Sequence, residues 1–233
     1  TWAYRQDQLP STHPIAADLV DLDTVYTNFD GITYAKGASA LKQLVAFVGE
    51  EDFLAGVRAY FRAHEFSNTE FTDLLAALQT ASGRDLSHWA QSWLQTSGVN
   101  LIRPVSEVAD DGTYTQVTLE QLPPGSPAGI DPTLRPHRLA IGLYDRQGEA
   151  LVRRERLEVD IDGEAVTVEA LRGVPQPDLL LVNDDDLTYA KVRLDSRSMA
   201  AAVEGLSGLA DPLARALIWG AAWDMTRDAE LHA

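Results

Sequence analysis

The chain contains no cysteine, only 2 methionines, and far fewer cationic than anionic side chains, 19 Lys and Arg against 35 Asp and Glu. Without thiols it builds neither a disulfide framework nor a thiolate metal site. A net charge of −16 repels phosphate backbones and anionic lipid, which argues against nucleic-acid and membrane partners. No apolar run approaches the roughly 18 to 20 residues that span a bilayer. Thr1 is followed by Trp2, Ala3, Tyr4 and Arg5, without the basic and apolar stretches of a signal peptide. The missing cysteines and the acidic balance lean towards a cytoplasmic protein.

What is present is enough for a sizeable core, since 45% of the 233 residues are hydrophobic, and the length allows one or two domains. Up to Gly98 the apolar residues recur with helical spacing. Phe53, Leu54, Val57, Tyr60 and Phe61 form one stripe, Phe71, Leu74, Leu75 and Leu78 a second, and Leu86, Trp89, Ala90 and Trp93 a third. Gly49, Gly83 and Gly98 stand where C-terminal caps fall, and Thr69 and Asp85 where N-caps fall.

After Val99 the period changes to two. Strands are predicted at Leu101–Val108, Tyr114–Leu122, His137–Asp145, Ala150–Ile161, Ala165–Leu171 and Leu179–Val182, separated by Asp-Gly, Pro-Pro-Gly and Gln-Gly turn signals. Such spacing favours a β-sandwich. From Ser196 the pattern is helical again, and Asp211-Pro212 reads as an N-cap with proline at the first helical position of a helix reaching about Leu231.

One segment carries chemistry. Phe29 to Leu41 reads FDGITYAKGASAL. Tyr34, Ala38, Leu41, Val45 and Val48 recur at spacings of four and three, which predicts one buried helix face with Lys36, Ser39 and Lys42 on the other side. Gly37, early in that helix where alanine would be about 1 kcal/mol better, suggests that something packs closely on the backbone. Taken alone, Tyr34 is a half-buried aromatic at a helix start.

Its neighbours add more. ITYAKGASAL resembles the segment that follows the zinc-binding helix in the aminopeptidase N family of zinc metallopeptidases, with Tyr34, Lys36 and Gly37 on the Y-x-K-G core that carries the transition-state tyrosine. STHPIAADL (Ser11 to Leu19), ASGRDLSHWAQSWLQTSGVN (Ala81 to Asn100) and LLLVNDDDLTYAKVRLD (Leu179 to Asp195) continue the likeness, in family order, over nearly the whole chain. The zincin signature H-E-x-x-H occurs nowhere, and His13, His64, His88, His137 and His232 lack ligand spacing, so each reads as a surface or cap residue.

The resemblance implies a multi-domain α+β protein: residues 1–98 as the helical lobe of a thermolysin-like catalytic domain, 99–195 as a β-sandwich domain, and 196–233 as the start of a C-terminal helical domain. It implies an intact parent enzyme that removes N-terminal residues from peptides with zinc, Tyr34 donating to the oxyanion. This chain is expected to bind no zinc and to be inactive alone, its partners being peptide substrates and the N-terminal and zinc-binding domains it lacks. An apolar wall should then stand open on the first helical region, with self-association as one consequence. The rival reading is a non-catalytic module of helices and sandwich that binds a protein or peptide. Two further features read as solvated surface: Asp184, Asp185 and Asp186, without the donor alternation of a calcium loop, and Arg153, Arg154 and Arg156 on a strand.

Overall fold

A computed structural model describes residues 2–18 and 20–231; Thr1, Leu19, His232 and Ala233 lie outside the described residues. Among those described, the first hundred residues form α1 (Trp2–Gln6), α2 (Leu22–Thr27), a π-helical turn (Ile32–Lys36) running directly into α3 (Gly37–Val48), α4 (Glu50–Ala63), α5 (Phe71–Ser82) and α6 (Ser87–Leu94). Gly83 takes the left-handed conformation at φ 67° and caps α5. The N-caps differ by one residue from the expected Thr69 and Asp85. Glu70 caps α5 in a reciprocal box with Asp73, and Leu86 precedes α6, Asp85 instead accepting from the Ser87 amide.

The sheets follow the period-two reading closely. β1 (Leu101–Val108), β2 (Tyr114–Leu122), β3 (His137–Gln147), β4 (Ala150–Ile161), β5 (Ala165–Thr167), β6 (Leu179–Asp184) and β7 (Lys191–Val192) form two sheets, of order β5-β2-β1-β7 and β4-β3-β6. Only β5 is shorter than expected, because Glu169–Leu171 turns into a 3-10 helix that buries Leu171. Ile102, Val117 and Leu119 of one sheet share a single apolar core with Leu139, Ile141, Leu143 and Leu181 of the other. α7 (Ser196–Gly205) and α8 (Pro212–Arg227) add Ala201, Ala202, Ala214, Ile218 and Ala221 to it. Asp211 caps α8 by accepting from the Leu213 amide, as the Asp-Pro pair predicts, but the helix stops at Arg227 and leaves Leu213, Trp219 and Trp223 exposed.

A second core gathers Ala3, Ala40, Leu44, Val48, Leu78, Leu86, Trp89, Trp93 and Val99, with Tyr189 reaching in from beyond β6. The stripes on α5 and α6 point into it as expected at Leu78, Leu86, Trp89 and Trp93, while Leu54, Phe61 and Phe71 stay exposed.

α3 is rotated relative to its expected orientation. Its buried residues are Ala40, Gln43, Leu44 and Val48, continuing the stripe of Lys36, whereas Tyr34, Ala38 and Leu41 are exposed. The helix is apolar on two sides, so periodicity could not say which one this chain covers. Gln43 decides the orientation: its amide donates to the Arg138 and Leu187 carbonyls at 2.8 and 3.2 Å and accepts from the Arg138 amide at 2.7 Å. One glutamine thereby satisfies the Arg138 amide and carbonyl in β3 and the Leu187 carbonyl beyond β6. Gly37 has only Ile15 nearby, at an ordinary 3.8 Å from where a Cβ would lie, so close packing does not explain it.

Candidate functional site around Tyr34

Tyr34 lies inside the π-turn, where the Gly37 amide reaches back to the Ile32 carbonyl. The start of the turn is fixed by Asp30, whose Oδ1 accepts from the Ile32 and Thr33 amides at 2.9 and 3.1 Å. The other Asp30 oxygen stands 3.2 Å from His13 Nε2, and His13 Nδ1 stands 2.8 Å from the Pro14 carbonyl. His13 thus ties the Ser-Thr-His-Pro segment to the base of the tyrosine turn. The Gly31 amide donates to Gln6 Oε1 at 2.6 Å, and Trp2 lies so near that a Cβ on Gly31 would sit 2.8 Å from its ring.

The end of the turn is fixed from below. Lys36, expected on the solvent side, is fully buried, and its ammonium pairs with the equally buried Asp7 at 2.8 Å. It also donates to the Gly98 and Thr96 carbonyls at 3.2 and 3.4 Å. Asp7 is saturated in turn, accepting from Thr12 Oγ at 2.6 Å, the Gly98 amide at 2.8 Å and the Tyr189 hydroxyl at 3.3 Å. Burial, and then the nearby Arg135 guanidinium, push the Lys36 ammonium down to about 8. Burial, and then the Asp7 carboxylate, raise the Tyr189 phenol well above its ordinary range.

Helical residues are about 100° apart, so two positions separate nearly opposite sides of a turn. With Lys36 drawn inward, Tyr34 is turned outward. Half of it is exposed, its ring meets Phe29 edge to face at 4.8 Å between centroids, and its hydroxyl has no hydrogen-bond partner among the described residues. Tyr26, Phe29 and Leu41 are exposed apolar or aromatic residues of the same helical region.

The remaining candidates resolve differently. His137 is not a surface residue. It is fully buried, Thr188 Oγ donates to its Nδ1 at 2.6 Å, its Nε2–H donates to Gln121 Oε1 at 3.0 Å, and burial together with the Arg135 charge pushes it down to about 3. Nor is the acidic run merely a solvated turn: Asp184 is fully buried beneath the Tyr144 hydroxyl and Arg153, Asp185 is held by Arg153 and Arg156, and Lys42 lies 3.8 Å from Asp186. Arg153 and Arg156 thus serve that turn, while Arg154 pairs with Asp145. Among the described residues no three His, Asp or Glu side chains come together to hold a metal ion, and no helix is long and apolar enough to cross a membrane.

Gln6 and Asp7 escaped the sequence reading because their partners lie 25 and 29 positions further on. The one available signal was that Lys36 begins the alternative α3 stripe through Ala40, Gln43 and Leu44.

Residues 1–93 match the peptidase family M1 domain, and residues 179–233 match the ERAP1-like C-terminal domain. Aminopeptidase N of Streptomyces lividans is 59% identical over 234 aligned positions, which cover 99% of this chain and 27% of that protein. Tricorn protease-interacting factor F2 of Thermoplasma volcanium is 39% identical over 119 positions, 51% of this chain and 15% of its own length. Aminopeptidase N of Escherichia coli K12 is 29% identical over 149 positions, 64% and 17% of the two chains. The chain spans about a quarter of the length of its Streptomyces relative and less of the other two. On the domain match over residues 1–93 and the 59% identity over 99% of its length, the chain belongs to peptidase family M1.

Proposed function

We propose that this chain is the part of a zinc-dependent aminopeptidase that supplies the oxyanion-stabilising tyrosine, and that Tyr34 is that residue. The observation that carries the reading is the outward, half-exposed phenol of Tyr34 on a turn fixed from both ends. A hydroxyl packed and hydrogen-bonded by its own chain would have favoured a binding module instead.

The residues present do not fit a zinc ion: the sequence contains no H-E-x-x-H, and the described residues bring no ligand cluster together. Peptidase activity therefore belongs to a longer protein that includes such ligands. What this chain contributes is a proton donor. As peptide hydrolysis develops negative charge on the former carbonyl oxygen, a phenol, protonated at neutral pH, donates a hydrogen bond to it from a fixed position. Phe29 meets the ring edge to face, and the exposed side of α3 is left for a peptide or for the rest of the protein to cover.

The domain division follows the same reading: 1–98 as the helical lobe of the catalytic domain, 99–195 as a β-sandwich, and 196–233 as the beginning of a helical domain. The separate core, whose buried members other than Tyr189 all precede Asn100, supports the first boundary. Residues of α7 and α8 share the sheets' core, which makes the second boundary a tightly packed one.

The test is hydrolysis of an amino-acid arylamide with zinc present, by this chain and by the same protein extended upstream. The extended protein is expected to be active and this chain silent. In the extended protein, Tyr34→Phe should lower kcat about 100- to 1000-fold with zinc content unchanged; a retained kcat removes Tyr34 from the mechanism.

A further inference from the structure

We propose that two consecutive residues at the end of α1, Gln6 and Asp7, act through the two ends of the π-turn as positioning residues for Tyr34, with the Asp7–Lys36 pair setting the direction of its hydroxyl. The proposal rests on the reading of Tyr34 as the oxyanion donor.

The argument begins with the turn. A π-turn holds one residue more than the corresponding α-helical turn, and its wider ring is an uncommon arrangement that neighbouring structure must maintain. If it relaxed to α-helix, the residues before it would rotate about 100° relative to those after it, and Tyr34 would point elsewhere. Here the start is held because the Gly31 amide donates to Gln6 Oε1 at 2.6 Å, and the end because Lys36 Nζ meets Asp7 at 2.8 Å. Gln6 and Asp7 are adjacent, so α1 bridges the turn from one side to the other.

The chemistry of the second contact suits a positioning role. An apolar side chain at position 36 could slide within the core, because apolar contacts are not directional. Lys36 has three partners, Asp7 and the Thr96 and Gly98 carbonyls, and Asp7 is itself fixed by Thr12, Gly98 and Tyr189. A lateral shift of the turn would leave a buried ammonium or carboxylate without partners, which the interior does not tolerate. The α6 exit loop, α1 and the Tyr189 segment therefore all bear on where Tyr34 points, although none of these partners reaches the open surface itself.

The experiment compares position with activity. The 233-residue chain is grown with 3-fluorotyrosine, and the fluorine resonance of Tyr34 is assigned by its loss in Tyr34→Phe. In Asp7→Asn/Lys36→Met, which removes both charges while keeping an amide oxygen for the Gly98 amide, that resonance is expected to shift or broaden while those of Tyr60, Tyr114 and Tyr144 stay in place. Gln6→Met, which leaves the ion pair intact, should move it the same way and serves if the double variant does not fold. A Tyr34 resonance unchanged in either folded variant overturns the proposal. In the extended protein, adding Tyr34→Phe to the double variant should cost less than about tenfold further in kcat, because the donor is already misplaced. A full 100- to 1000-fold further loss means that the pair does not act through Tyr34. If Tyr34→Phe leaves kcat intact in the otherwise unaltered protein, the donor reading fails, and the fluorine spectrum still decides whether Gln6 and Asp7 position the ring.

Discussion

The two cores of this protein are built on opposite principles. The core of the sheets is filled by aliphatic residues such as Leu139, Ile141, Leu143 and Leu181, and α7 and α8 pack apolar residues onto it. The core beneath Tyr34 stands against a buried polar seam of Asp7, Lys36, Asn100, Gln121, Arg135 and His137, while its opposite side is left open. An aliphatic core tolerates many sequences of equal volume. A polar seam permits few, since each member depends on the geometry of the next. Stability is thus spread through the sheets, whereas directional constraint is concentrated under the tyrosine turn.

The contrast is sharpest in acid. His137 is buried neutral, with its folded value pushed down to about 3 from an ordinary 6.5. The unfolded chain therefore binds the extra proton throughout that window, and stability falls as pH drops from about 6.5 towards 3. The slope is about 1.4 kcal/mol per pH unit, giving up to roughly 5 kcal/mol in all. Urea unfolding at a series of pH values should show the slope, and His137→Gln should flatten it between pH 6.5 and 4. Equal slopes in the two proteins would mean that the seam does not exclude the charge.

Next in size is the ion pair. Lys36→Met leaves the Asp7 carboxylate buried without its cation and is expected to cost about 3–5 kcal/mol. Asp7→Asn/Lys36→Met should recover at least half of that loss in the same urea measurement, because neither charge is then left uncompensated. A double variant as unstable as the single one would show that the seam depends on the charges for stability as well as for direction.

How much of this could be read in advance follows the same division. Strand boundaries at Leu101–Val108, Tyr114–Leu122 and Ala150–Ile161 agree with the structure to the residue, because a sheet with one covered face writes its register as a period of two. The Asp211 cap was equally plain, being a local signal. The orientation of α3 was not, because Leu41 and Leu44 are the same residue type on two stripes, and only the long-range contacts of Gln43 and Lys36 choose between them. The segment of Tyr34 stands out through Lys36 and Gly37 as a family pattern, while Gln6 and Asp7, which bond the two ends of its turn, leave no local signature. His137 was misjudged for the same reason: the Thr188 and Gln121 side chains that satisfy it are brought there by the sheet, not by the sequence around it.

A smaller effect probes the near end of the turn. Gly31 is boxed in by Gln6 and by the Trp2 ring, which a Cβ would approach to 2.8 Å. Gly31→Ala should cost about 1–3 kcal/mol by overpacking, measured by thermal or urea unfolding. In the extended protein it should also lower kcat, since relief of the clash must displace α1 or the turn.

The smallest expected effect, at Leu41, breaks the comparison within a single helix. Leu44 is buried on α3 and Leu41, three positions earlier, is 49% exposed. Leu44→Ala removes core volume and should cost about 2–5 kcal/mol in this chain, whereas Leu41→Ala should change its stability by about 0.5 kcal/mol or less. The same Leu41→Ala placed in the extended protein should cost more if the open side of α3 is covered there, because the side chain would then be removed from an interior. Near-equal effects of Leu41→Ala in the two proteins would mean that this side stays open to solvent in both, and that the apolar stripe through Tyr34, Ala38 and Leu41 faces a substrate space rather than a packed domain.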